Sequence, residues 1–182
     1  MWFTAALCKE NFGFGKREEH YKLTDPFCLF YLHFVKENRD TNESFWQQNV
    51  TSQQLSTWRG YAFENVCFTH LSQIKHALGI SGVISSASAW AKRGDAEPGA
   101  QIDMVIVRND NVVNMCEMKY YSGDFTVDRA YYSLLLRRQE LLAGQVSAKT
   151  AVRSTLITTF GLVRNEYSDV FTNVVTIDDL FV

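Results

Sequence analysis

The chain has 182 residues, enough for one well-packed core with a small appended element and too few for two full domains of ordinary size. Hydrophobic content of 46% beside 21% charged residues, with two prolines and ten glycines, excludes a disordered or low-complexity protein. A formal net charge of −2 gives no global pull toward nucleic acid, so binding of that kind has to come from a local basic patch or a metal.

Residues 1–36 read as the end of a larger unit. FGFGKREEHYKLTDPF predicts a glycine-containing hairpin, then Thr24 or Asp25 as N-cap and Pro26 as the first helical residue. The helix that follows, PFCLFYLHFVKE, is apolar nearly all round, so it has to be buried against protein. Two placements stay open: docking on the main domain, or an interface with a missing domain or a second copy of the chain. The Gly-x-Gly-Lys ending at Lys16 is no phosphate loop, because neither Ser nor Thr follows the lysine and no strand-to-helix context surrounds it. Residues 37–56 turn polar and read as a linker with one anchoring turn around Phe45 and Trp46.

The main domain is predicted over 57–182. It opens with a helix from Trp58 to Leu78, striped by Phe63, Cys67, Leu71, Ile74 and Leu78 and stopped by Gly79. Glu64 sits beside that stripe. GVISSASAW, AQIDMVIVR and VVNMCEMKYY then form three strands joined as a meander, with NDN as a tight turn between the last two. TVDRAYYSLLLRRQELLAG is an amphipathic helix, and AVRSTLITTF and TNVVTIDDLF supply two more strands. The fold class is therefore α/β: a mixed central sheet flanked by helices.

Cys8, Cys28, Cys67 and Cys116 are scattered with no C-x-x-C pair, which predicts reduced thiols, no bridge and no structural metal. The opening MWFTAALCKENF lacks the basic and long apolar regions of a signal peptide, and no run reaches the roughly 18 apolar residues of a membrane span. A soluble, cytoplasmic protein without membrane contact is expected, and the sequons at Asn42 and Asn49 are then chance matches.

The chemistry concentrates in the meander. Glu117 and Lys119 share one face of a strand apolar enough to be central, and an unpaired charge there is costly. The NDN turn makes the strand with Asp103 its antiparallel neighbour, and facing positions come within ~5 Å, close enough for two carboxylates to share one cation. Each residue has a plainer reading: Asp103 paired to a backbone amide, and Glu117 with Lys119 as an ion pair on a solvated face. Arg138 falls inside an apolar stripe of Tyr131, Leu134, Leu135, Leu141 and Leu142, from which it either snorkels to the helix edge or reaches toward the carboxylates or a phosphate. Lys92 and Arg93 beside Trp90 suit a phosphate backbone with the indole stacked on a base, or else a solvated turn with a half-buried Trp. His20, His33, His70 and His76 make no metal pair, and no G-x-S-x-G elbow occurs.

GYAFE at 60–64, GAQID at 99–103 and CEMK at 116–119 resemble the signature of the PD-(D/E)XK nuclease superfamily, the restriction-endonuclease-like fold. The predicted order of elements is similar to its core. Nearly the whole chain looks like the C-terminal half of a group of prokaryotic AAA-type ATPases, in which a winged helix and then this domain follow the ATPase module. YKLTDPFCLFYLHFV resembles the end of that winged helix. The resemblance implies Glu64 as the helix carboxylate, Asp103 and Glu117 as ligands of Mg²⁺ or Mn²⁺ with Glu64 completing the outer coordination, and Lys119 as the catalytic lysine. It also implies DNA as substrate and an upstream or partner ATPase; the apolar N-terminal helix adds a possible homodimer. Ile102 stands where the pattern has Pro, which leaves the liganding group untouched, and no Walker motif is present. Two functions follow as expectations: a metal-dependent nuclease cutting DNA, or a nuclease-fold module that no longer cuts and serves to dock or regulate an ATPase.

Overall fold

The computed structural model describes residues 5–8, 20–23, 25–36, 44–92 and 99–181. The Gly-x-Gly-Lys segment, most of the polar linker before Ser44, and Arg93 with the turn that follows it lie outside the described residues.

Strands β1 (Ala5–Cys8) and β2 (His20–Leu23) pair antiparallel on either side of the glycine-containing segment. Asp25 caps helix α1 (Pro26–Phe30) by accepting the Cys28 N–H at 2.6 Å, and Pro26 takes the first helical position, where no N–H is needed. The helix continues as a π-helical turn over Tyr31–Val35. One side of it docks: Phe34 is buried, and its ring lies 5.4 Å from that of Trp58 and 6.1 Å from that of Phe45 in helix α2 (Phe45–Asn49). The other side, with Phe27, Tyr31, Leu32 and Val35, is exposed.

The predicted helix from Trp58 to Leu78 is two helices, α3 (Gln53–Thr69) and α4 (Leu71–Ala77), broken at His70, whose φ of −103° and ψ of 28° leave the helical region. The first begins earlier than its apolar stripe suggests, because Ser52 accepts the Leu55 N–H at 3.2 Å and caps a polar first turn in which Leu55 is the buried side chain. Gly79 ends α4 at φ +69°, with Gly79 N–H bonded to His76 C=O and Ile80 N–H to Lys75 C=O, the paired bonds that close a helix through a left-handed residue. No atom lies within 4 Å of a Cβ added there, so Gly79→Ala is expected to cost only the backbone strain, about 1 kcal/mol, read as a shifted midpoint in urea with an unchanged slope.

The main sheet has five strands in the order β3-β4-β5-β6-β7: β3 (Ser85–Lys92), β4 (Ala100–Arg108), β5 (Val112–Lys119), β6 (Ala151–Thr158) and β7 (Asn173–Thr176). The first three run antiparallel as the meander, with Asn111 at φ 61° in the tight turn, and β6 and β7 continue parallel to β5. The central position thus belongs to β5, the strand carrying Glu117. Its two faces feed separate cores: Cys116 and Met118 pack with Phe63, Cys67 and Ile74 of α3 and α4, while Val113 and Met115 pack with Leu135 and Leu142 of helix α5 (Arg129–Ala143). Helices therefore cover both faces, the mixed α/β architecture predicted.

On α5 the buried leucines are Leu135 and Leu142, each contributing roughly 1.5–3 kcal/mol, while Leu134 and Leu136 are exposed. The inward stripe is therefore Tyr131, Leu135, Arg138, Leu141 and Leu142, the one predicted without Leu134, and it carries Arg138 onto the sheet. The last predicted strand is shorter: Asp179 accepts the N–H and hydroxyl of Thr176 at 2.7 and 3.0 Å and turns the chain into a 3-10 turn over Asp178–Leu180. Among the described residues Cys28, Cys67 and Cys116 are free thiols, and no helix is long and apolar enough to cross a membrane.

Candidate functional site

The β4–β5 ladder runs from Val107↔Val113 to Met104↔Cys116. One step beyond it, where Asp103 and Glu117 would face each other, the strands part: the Asp103 carboxylate, not a backbone carbonyl, accepts the Met118 N–H at 2.8 Å. The alternation of β4 slips at the same place. Ile102 and Val105 belong to the core under α5, Met104 to the core under α3. The slip lies within the strand, where the β3–β4 register also shifts, and an irregularity of this kind re-aims the side chain it carries. The plainer reading of Asp103, an acceptor for a backbone amide, is therefore realised, with one of its oxygens engaged in that bond.

Glu117 has no exposed surface. Its Oε1 and Oε2 both lie 2.7 Å from Nη1 of Arg138, and Tyr131 donates its hydroxyl to Oε2 at 2.8 Å. Lys119 is more distant, its Nζ 4.0 Å from Oε2 and 5.2 Å above the Tyr131 ring. Burial holds the Glu117 carboxyl above the usual carboxylate range, the Asp103 charge adds to that, and Arg138, Tyr131 and Lys119 offset it. Burial and the Glu117 charge push the Tyr131 phenol far up, so it stays a proton donor. Two carboxylates and two cations thus meet between β4, β5 and α5, charge-balanced among themselves.

Local structure explains why α5 delivers these partners. Asp128 caps it by accepting the Tyr131 N–H at 2.7 Å, which fixes the first turn, and Tyr131 and Arg138, seven residues apart, project from one face two turns apart. The salt link uses a single guanidinium nitrogen, whereas the strongest arginine–carboxylate pairs use two. Nε of Arg138 is buried with no hydrogen-bond partner, a loss of about 1–3 kcal/mol.

Of the residues singled out in the sequence, Asp103, Glu117, Lys119 and Arg138 come together. Glu64 rides half-buried on α3, whose core-facing residues pack on the opposite face of the sheet from α5. Among the described residues no group of three or more His, Cys, Asp or Glu side chains gathers closely enough to hold a metal. Trp90 needs a correction as a base-stacking candidate: it is fully buried, paired across the ladder with Ile102, so no base can lie on its ring. Lys92 is exposed at the end of β3 and lines, with Arg138, Leu134 and Gln101, a cleft of ≈ 470 Å³. Arg93 lies outside the described residues. Sequence reasoning missed Tyr131 as a polar partner of the site; a tyrosine in a buried stripe two turns before an arginine was the available signal, since its hydroxyl must find an acceptor. Thr158, the register partner of Lys119 on β6, is also buried there, and its hydroxyl has no partner.

Fold and site define a mixed α/β domain with an acid–base cluster on its central strand. The chain belongs to the DUF234 family, described as archaeal and bacterial proteins of unknown function, whose model matches residues 31–130. The matched span takes in Glu64, Asp103, Glu117 and Lys119 and stops just short of Tyr131 and Arg138. No curated protein and no solved structure matches the chain.

Proposed function

We propose that this domain is a restriction-endonuclease-like module of the PD-(D/E)XK type that hydrolyses DNA phosphodiester bonds with Mg²⁺ or Mn²⁺. The observation that carries the reading is a fully buried carboxylate, Glu117, on the central strand, with Asp103 where β4 parts from it and Lys119 two residues on. The donors suit a hard divalent ion, which takes one or two protein carboxylates and completes its shell with water and phosphate oxygens. Asp103 and Glu117 would hold it. When bound, the ion supplies a more acidic water and offsets charge building on the phosphoryl oxygens. Lys119, half in solvent at the mouth of the cluster, orients the attacking water and stabilises developing negative charge. Tyr131 keeps Glu117 oriented by holding its proton and donating it as a hydrogen bond.

Titration calorimetry with Mn²⁺ is expected to show heat for the wild type and none for Asp103→Ala. Plasmid, single-stranded DNA and RNA incubated with Mg²⁺ or Mn²⁺ should be cut by wild type alone, with chelator stopping the reaction. Cleavage that persists in chelator or in Asp103→Ala would count against the mechanism.

A second reading, a silent nuclease-fold module that docks or regulates an ATPase, is favoured by one observation: Arg138 already engages both oxygens of Glu117. Metal bound with no cleavage on any substrate would select it. In either case we place the domain in the cytoplasm, working with an upstream or partner ATPase, its residues 1–36 being the end of a winged helix. The exposed Phe27, Tyr31, Leu32 and Val35 suit a contact with a second copy, and light scattering should then show a dimer that Phe27→Asp converts to monomer.

A further inference from the structure

We infer that the cleft of ≈ 470 Å³ between α5 and the adjoining ends of β3 and β4 is an oxyanion subsite, in which a phosphate of a nucleic-acid backbone is held by Arg138 and Lys92. The nuclease reading supplies only the identity of the ligand; the site itself rests on geometry.

Arg138 is bound on one side alone. Nη1 reaches Glu117, Nε has no partner, and the side chain also lines the cleft. A guanidinium forks naturally onto two oxygens, and a phosphate entering the cleft offers the second pair that Glu117 does not. Lys92 stands on the same wall from the end of β3 and adds an exposed ammonium. Among the described residues the cleft wall between them is Ala91, Gly99, Ala100, Gln101 and Leu134, none of them a carboxylate that would repel an anion. The subsite is also coupled to the carboxylate cluster. Nη1 stays on Glu117 while the rest of the guanidinium takes the phosphate, so the substrate and the acidic pair share one cation. Arg138 is then the residue through which substrate phosphate and the acidic pair communicate, a positioning role beside the reacting atoms.

The test needs no catalysis. In chelator, the ¹⁵N signal of the Arg138 Nε–H is followed while the protein is titrated with inorganic phosphate and, separately, with a twelve-nucleotide single-stranded oligodeoxynucleotide. Both are expected to move that signal. Lys92→Ala should weaken oligonucleotide binding about tenfold and lower the slope of log affinity against log salt by about 1, the loss of one phosphate contact. Arg138→Lys, which keeps the charge without the fork, should weaken binding while leaving the circular-dichroism spectrum intact. If phosphate shifts the signal and the oligonucleotide does not, the ligand is a small phosphate and the nucleic-acid assignment is overturned. If neither shifts it, the subsite is overturned. Binding in chelator without cleavage in Mg²⁺ would leave the subsite standing and bring down hydrolysis; cleavage with an unmoved Nε signal would do the reverse.

Discussion

Arg138→Met should destabilise the protein by about 3–5 kcal/mol at neutral pH, the cost of leaving a buried charge without its partner. Glu117 has no exposed surface, and once Arg138 is gone only Tyr131, with Lys119 at 4.0 Å, remains to compensate it. The loss should depend on pH in a defined direction. Burial and then the Asp103 charge raise the folded-state pKa of Glu117 above its unfolded value, against the pull of Arg138, Tyr131 and Lys119. A carboxyl with a raised folded pKa binds its proton more tightly in the native state, so its contribution to stability is present below the unfolded pKa and is lost as pH rises through the folded one. Removing Arg138 raises that folded pKa further. The penalty should be largest at pH 7–8 and shrink toward pH 5, and Glu117→Gln in the same chain should recover most of it. Urea denaturation of the single and double variants at both pH values checks this; a penalty independent of pH would show that Arg138 acts through packing instead.

Lys119→Met should lower the rate of DNA cleavage on the order of 10²- to 10³-fold, the usual consequence of deleting one preorganised electrostatic donor. Stability should barely change, because methionine fills the volume of the lysine stem and the Lys119 ammonium sits at the outer limit of an ion pair with Glu117. Single-turnover cleavage in Mg²⁺, with folding followed separately, distinguishes the two effects. A variant that cuts at the wild-type rate would remove Lys119 from the chemistry.

Much of this architecture was legible in the residues. Alternation in AQIDMVIVR and VVNMCEMKYY announced two strands, and the Asn-Asp-Asn between them announced their antiparallel pairing, because that turn needs a residue tolerant of positive φ. Together those local signals put Asp103 within reach of β5 before any tertiary information. Helix α3 begins before the predicted Trp58 for a local reason: Gln53 and its polar neighbours form helix readily once Ser52 caps them, and polarity alone does not distinguish a solvated first turn from a loop.

What the sequence by itself determined was which residues share a strand face and which strands can pair, since both follow from periods of two and from turns a few residues long. The tertiary structure alone decided what each charge touches. Arg138 lies 21 residues from Glu117 and on another element, and whether it snorkelled outward or turned inward depended on the angle at which Leu135 and Leu142 seat α5 against the sheet. The partner of Trp90 was equally undetermined, because the β3–β4 register shifts between Ser88 and Trp90 and sets the indole opposite Ile102, where an unbroken ladder would set it opposite Asp103. Packing of long-range partners sets such choices, and a partner's direction is not encoded within the reach of one turn or one strand.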